Sequence, residues 1–341
     1  MTAAIWGISL LWAIVFIYGI AGSIDFGAGF WAMVFFKEEH ASAATIANRY
    51  LSPLWEVTNV FLVLFSVSLV GLFPTAAFVF GNILLVPGCL ILIFLTLRTV
   101  FMVYAHSIDR YQQPLRVISG ITGVIIPALL MSVFPIAQGN FLIQNHGRLT
   151  LSLTQLFSSP TTYVYILLGL TSELFLSAML LADYSRIAND STAFYLYRKQ
   201  AIWLGPINMV WAFIAFFWIA QSAPWLEKDM LSQWPWFLVS GGFFVLGYLL
   251  TVSTRENLHL RFRLAVVSHV VQYGCAMIGY GRAHLPYLIY PYVTIQDSFT
   301  NSEMFRALIV VLILGIAILF PGFIWFWRLF LENRAYVSKE D

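Results

Sequence analysis

The chain has 341 residues, of which 60% are hydrophobic and 17% aromatic, and only 10% carry charge, against about 25% in soluble domains. That balance excludes an ordinary soluble globular protein, and a net charge of +2 with its basic residues scattered over loops excludes a nucleic-acid binder. Charge-poor runs of about 17 to 32 residues can each cross roughly 30 Å of hydrocarbon, so the chain reads as an all-α polytopic membrane protein.

The first apolar run, Ile5 to Phe36, lacks the positive flank of a signal peptide and is expected to remain as a helix. Eight more candidate spans follow: Val57 to Phe80, Ile83 to His106, Val117 to Ala137, Thr162 to Leu181, Ala201 to Ala220, Trp236 to Val252, Leu264 to Tyr280 and Ala307 to Trp327. Only Gly81 and Asn82 separate the second from the third, which predicts a tight hairpin there. With nine spans, 13 of the 18 Lys and Arg residues fall in loops on one side and four on the other, and Arg98 lies inside a span. The positive-inside bias then places the N-terminus outside and the C-terminus in the cytoplasm. The longest segments between spans, Gln138 to Thr161, Gln221 to Pro235 and Gly281 to Arg306, are too short for a soluble domain with its own core.

Ser23-Ile24-Asp25-Phe26 in the first span resembles Ser172-Glu173-Leu174-Phe175 in the fifth, four crossings later, with a looser echo between Pro53/Asn59 and Pro206/Asn208. Four crossings make the two copies parallel. The expected organisation is a four-helix bundle over 1–137, an outer loop over 138–161, a second four-helix bundle over 162–281, and 282–341 holding an outer loop, a peripheral ninth helix and the cytoplasmic tail.

Ionisable groups within the spans need a partner or a function, because each costs about 2.5 to 3.5 kcal/mol at the centre of a membrane helix. Asp25 lies about 20 residues into the first span, roughly 30 Å from its outer end at the α-helical rise. Glu56 opens the second span and Arg98 lies in the inner half of the third, so the three share one level. Two readings fit: a proton path from the cytoplasm with Glu56 at its mouth and Asp25 deeper, or an Asp25–Arg98 ion pair that fixes packing. Gly22, Gly27 and Gly29 allow close helix approach under either. Glu173 lies near mid-membrane with no basic residue evident at its depth, either as a proton relay or as a neutral hydrogen-bonded acid.

Of six histidines only His106 and His269 are at or within spans, and no helix carries the paired histidines of a haem bundle. A hydrogen-bonding contact is the expected role of each. Cys89 and Cys275 both fall in apolar runs and read as buried thiols, and no phosphate loop, nucleophile elbow or metal motif is present.

The first hundred residues carry a further pattern. Asp25-Phe26-Gly27-Ala28-Gly29 ends the first helix region, Pro53-Leu54-Trp55-Glu56 opens the second, Phe73-Pro74 lies near its end, and Leu97-Arg98-Thr99-Val100 is in the third. Together these resemble subunit II of the cytochrome bd family of quinol oxidases. Family members carry Asp where this chain has Glu56, often an acid where it has Gly22, commonly Gly-Asn where it has Val57-Thr58, and often Glu-Phe-Arg where it has Val103-Tyr104-Ala105-His106. The resemblance implies nine helices as two four-helix bundles plus one, in a bacterial cell membrane. It also implies a complex that oxidises quinol and reduces dioxygen to water. Haems b and d would belong to the partner, subunit I, with no catalytic residue, metal or cofactor expected in this chain; a structural quinone and a small third subunit remain open. Asp25 and Glu56 would carry protons, with Arg98, Glu173 and His106 as supporting polar groups. The competing reading is a proton-coupled secondary transporter.

Overall fold

The computed structural model describes residues 2–36, 41–105, 112–145, 148–253 and 258–327. In chain order the elements are α1 (Thr2–Val34), α2 (Ala41–Leu72), α3 (Pro74–Ile83), α4 (Leu85–Ala105), α5 (Gln112–Met131) and α6 (Val133–Ala137), then β1 (Leu142–Asn145), β2 (Arg148–Leu151), α7 (Leu153–Ser158), α8 (Pro160–Ile187) and α9 (Ser191–Ser222). They continue with α10 (Pro224–Ser232), α11 (Trp234–Val252), α12 (Leu258–His284), β3 (Tyr287–Ile289), β4 (Val293–Thr294), α13 (Ile295–Ser298) and α14 (Ser302–Trp327).

Among the described residues six helical stretches are long and apolar enough to cross a membrane: Ala3–Val34, Arg116–Ala137, Pro160–Ile187, Ser191–Ser222, Trp234–Val252 and Arg261–His284. Pro74–Ile83 and Leu85–Phe101 pass the same test only when taken together as one broken stretch, bent by 83° where they meet, and Val57–Leu72 is a shorter apolar stretch. The hairpin expected at Gly81-Asn82 is therefore not there. Helix α2 stops at Leu72, Pro74 occupies the first turn of α3, and α3 runs on through Ile83 before α4 turns away. A proline has no N–H to give to the preceding turn, and at a helix start none is needed. Apolar composition alone does not distinguish this short helix from the end of a span.

Capping residues set the other starts. The Ser159 hydroxyl accepts from the Thr161 N–H ahead of Pro160, and Asp190 accepts from the Ala193 N–H at 2.9 Å to begin α9. Arg198 of α9 donates to the carbonyls of Thr251, Val252 and Ser253, closing the carboxyl end of α11 with a cation.

Helix α1 packs against α2, α5 and α8, while α8 packs against α9 and α12, so α1 and α8 meet at the seam between the two halves. One core at this seam joins Ile24, Ala28 and Trp31 to Phe175, Met179 and Tyr197. At one end the start of α2 is clasped to α9: the Tyr197 hydroxyl donates to the Ala43 carbonyl at 2.7 Å, and Ser42 donates to Asp190. At the other end a second core gathers Leu11, Leu72, Phe73 and Ile83 with Ile136, Leu156, Ile289 and Val293. The segments following Ala137 and His284 thus pack together with α3 at one end, as the Tyr290 N–H to Ala137 carbonyl bond also shows. They carry structure that hydropathy does not reveal: β1 pairs antiparallel with β2, Leu142 opposite Leu151, and β3 pairs antiparallel with β4. Cys275 is buried as expected, but Cys89 is exposed, because it lies on the outward face of α4.

A buried charge cluster at the seam

Arg98 of α4 and Asp25 of α1 are 2% and 3% exposed. The guanidinium donates through Nη2 to the Asp25 carboxylate at 3.0 Å and to the Asp25 backbone carbonyl at 2.6 Å, and through Nη1 to the Ser119 carbonyl of α5 at 2.6 Å. The same cation lies 5.2 Å from the centroid of the Phe26 ring. Such a planar fork serves acceptors on two helices from two separate nitrogens, whereas an ammonium would have to reach all of them from one. The ion pair read from the sequence is thus present.

Space for it comes from glycine. A Cβ on Gly29 would lie 2.9 Å from Arg98 Nη1, and one on Gly27 would lie 2.3 Å from the Ser177 hydroxyl oxygen of α8. Gly27 thus sets the approach of α1 to α8, and the Trp31 indole N–H donates to Ser177 at 3.0 Å just beyond it. Gly22 has a different place, its nearest neighbour being Phe26 of its own helix.

Glu173 enters the cluster from α8 and is 4% exposed. It lies within electrostatic reach of both Arg98 and Asp25, so the sequence reading that no basic residue shares its depth is corrected. Residue counting along separate helices gives depth only to a turn or so and says nothing about which way each helix faces. Among the described residues neither carboxylate oxygen of Glu173 has a hydrogen-bond partner, and the same is true of the buried Tyr18 hydroxyl, which interacts electrostatically with both acids. Tyr18 was not singled out from the sequence, although it precedes Asp25 by seven residues and so shares its helix face.

Glu56 lies in α2, but its side chain is outside the described residues, and so is the whole of His106. His269 of α12 is fully buried, with Nδ1 3.1 Å from Gln272 Oε1 and its ring edge-on to Phe175 and against Phe244. Beside it a polar chain links the second half: Ser172 donates to Asn208 Oδ1 at 2.8 Å, and Asn208 Nδ2 donates to the Tyr273 hydroxyl at 3.0 Å. Among the described residues no three His, Cys, Asp or Glu side chains are grouped to hold a metal ion.

The arrangement is a buried cation with two buried acids contributed by α4, α1 and α8, groups whose chemistry suits holding or passing protons. Comparison with known proteins agrees on the setting. A curated Bacillus subtilis (strain 168) protein, named as a cytochrome bd menaquinol oxidase subunit II, is 42% identical over 344 residues, covering 100% of this chain and 99% of its own. The structure of bd oxidase from Geobacillus thermodenitrificans contains a chain that matches with a TM-score of 0.82 and 37% identity, over 98% of this chain and 100% of that one. The family model for cytochrome bd terminal oxidase subunit II matches residues 3–330, and the chain belongs to that family.

Proposed function

We propose that this chain is the haem-free subunit II of a terminal oxidase that couples quinol oxidation to the reduction of dioxygen to water, and that it offers the cytoplasmic protons a path. Its partner is subunit I, which carries haems b and d. The electron donor is taken to be a menaquinol, after the name of the Bacillus subtilis relative. Family membership removes the reason for the transporter reading.

The observation that carries the proton role is the buried cluster itself. Asp25 and Glu173 are withdrawn from solvent at the seam, beside a cation held by three hydrogen bonds. A buried acid near a cation can exchange a proton where an apolar core could not. Glu56, on α2 and nearer the cytoplasm in this reading, is the entry group, and Asp25 the next carrier. His106 is a further polar group at the same end. The nine-span organisation belongs to this proposal as well: Val57–Leu72 and α14 complete the count, the two four-helix bundles cover 1–137 and 162–281, and α14 is the peripheral helix.

The test is co-expression with the haem subunit and purification in mild detergent, followed by quinol-driven oxygen uptake for Glu56→Gln and Asp25→Asn. Both variants are expected to assemble with full haem content and turn over at least tenfold more slowly. Wild-type turnover in both would overturn the path, and recovery of the chain alone, with no haem-bearing partner in the visible spectrum, would overturn the oxidase assignment.

A further inference from the structure

We propose that Asp25, Glu173 and Arg98 form one site that holds a single proton shared between the two carboxylates, so that Glu173 is the second counter-ion of Arg98. This rests on the proton-path reading only for its consequence to turnover; the sharing stands on charge and geometry.

The three groups are 3%, 4% and 2% exposed, on α1, α8 and α4 respectively. One cation with two ionised acids would leave a net negative charge inside the membrane, and one cation with two neutral acids would leave a net positive one. Either is costly where water cannot screen it, so the neutral state carries one proton on the pair of acids. The hydrogen bonds show one of the two ways to arrange it: Arg98 is engaged with Asp25, while both oxygens of Glu173 are without hydrogen-bond partners among the described residues. That is the pattern of an ionised Asp25 and a protonated Glu173.

The alternative is close at hand. Arg98 Nε is buried without a hydrogen-bond acceptor, and Glu173 lies within electrostatic reach of the guanidinium. Tyr18 lies within electrostatic reach of both acids, and its buried hydroxyl has no hydrogen-bond partner among the described residues, neither acid included. Side-chain rotation that brings this hydroxyl within hydrogen-bond distance of both acids lets it accept a proton from Glu173 while giving its own to Asp25. One O–H bond breaks on Glu173 and one forms on Asp25, Tyr18 ends as it began, and Arg98 turns to the newly ionised Glu173. The proton has then moved from α8 to α1, across the seam between the halves.

Of the other titratable groups on helices packed here, Glu56 on α2 has its side chain outside the described residues, His269 on α12 is engaged by Gln272 beyond Phe175, and Asp183 on α8 is paired with Arg186 and Arg263.

Infrared difference spectroscopy of the purified oxidase complex tests this, reading the C=O stretch of protonated carboxylic acids in wild type, Glu173→Gln and Asp25→Asn. Sharing predicts that one band is lost in each single variant, because whichever acid remains must ionise to balance Arg98. Each single variant should assemble with a haem-loaded yield within about twofold of wild type, since a counter-ion survives. The double variant leaves Arg98 unbalanced, and its yield should fall at least tenfold. A band that persists in Asp25→Asn would show Glu173 to be a permanently neutral acid and overturn the proposal. So would a spectrum unchanged in Glu173→Gln, or an Asp25→Asn yield as low as that of the double variant. If the bands and yields follow the prediction while oxygen uptake stays at the wild-type rate, the shared proton stands and the path through Asp25 falls.

Discussion

Arg98 holds Asp25 by both its side chain and its backbone carbonyl, so the cation fixes the position of α1 as well as that of its acid. A third bond, to the Ser119 carbonyl, ties the same guanidinium to α5. Arg98→Lys keeps the charge but cannot reach all three acceptors. It is expected to cost about 1–3 kcal/mol for the lost charge-assisted bonds, read as a lower melting temperature of the purified complex. An unchanged melting temperature would mean that the three bonds do not hold the helices.

The seam depends on a missing methyl group. Gly27→Ala would place a carbon 2.3 Å from the Ser177 oxygen and 2.4 Å from its Cβ, forcing α1 away from α8. The expected loss is about 1–3 kcal/mol, typical of overpacking. Adding Ser177→Gly should restore much of it, although the Trp31 indole then loses its acceptor. Thermal denaturation of the single and double variants gives the comparison, and a double variant no better than Gly27→Ala would rule out this contact as the cause.

His269 tests whether the second half carries a redox centre. Its ring is enclosed by Phe175 and Phe244 and bonded to Gln272, which accounts for its burial as packing. His269→Ala should destabilise the complex by about 1–3 kcal/mol through the lost hydrogen bond and packing. The haem content per complex, measured from the reduced spectrum of the extracted haem, should stay at the wild-type value. Loss of one haem equivalent would place a ligand in this chain.

The clasp between α2 and α9 rests on Asp190, which both caps α9 and accepts from Ser42. Asp190→Ala should cost about 1–2 kcal/mol, the usual range for an N-cap, and Asp190→Asn much less because the amide oxygen can still accept. Limited proteolysis of the purified complex would report loosening in the first variant and not in the second.

Much of the architecture was legible because membrane helices announce themselves by length and lack of charge. Asp25 and Arg98 were placed at one level by counting residues at the α-helical rise, and the structure brings them to hydrogen-bonding distance. Glu173 was found as a buried acid but not as a neighbour of Arg98. Depth along an axis is encoded in residue number, whereas the rotation of α8 about its axis is set by contacts such as Gly27 against Ser177, between residues 150 positions apart. Helix α3 was hidden for a different reason: residues 74–83 are as apolar as the spans on either side, and only Pro74 marked the break. The small hairpin of β1 and β2 escaped because four-residue strands in a loop leave no period long enough to read.

The ion pair joins α1 to α4, both made early in synthesis, whereas Glu173 arrives on α8 only after some seventy further residues. As the nascent chain enters the bilayer, Arg98 can therefore be neutralised by Asp25 before the second half exists, which spares the insertion machinery an unmatched cation. The later acid then meets a cation that already has a counter-ion. The order in which the helices are made thus matches the order in which their charges find partners.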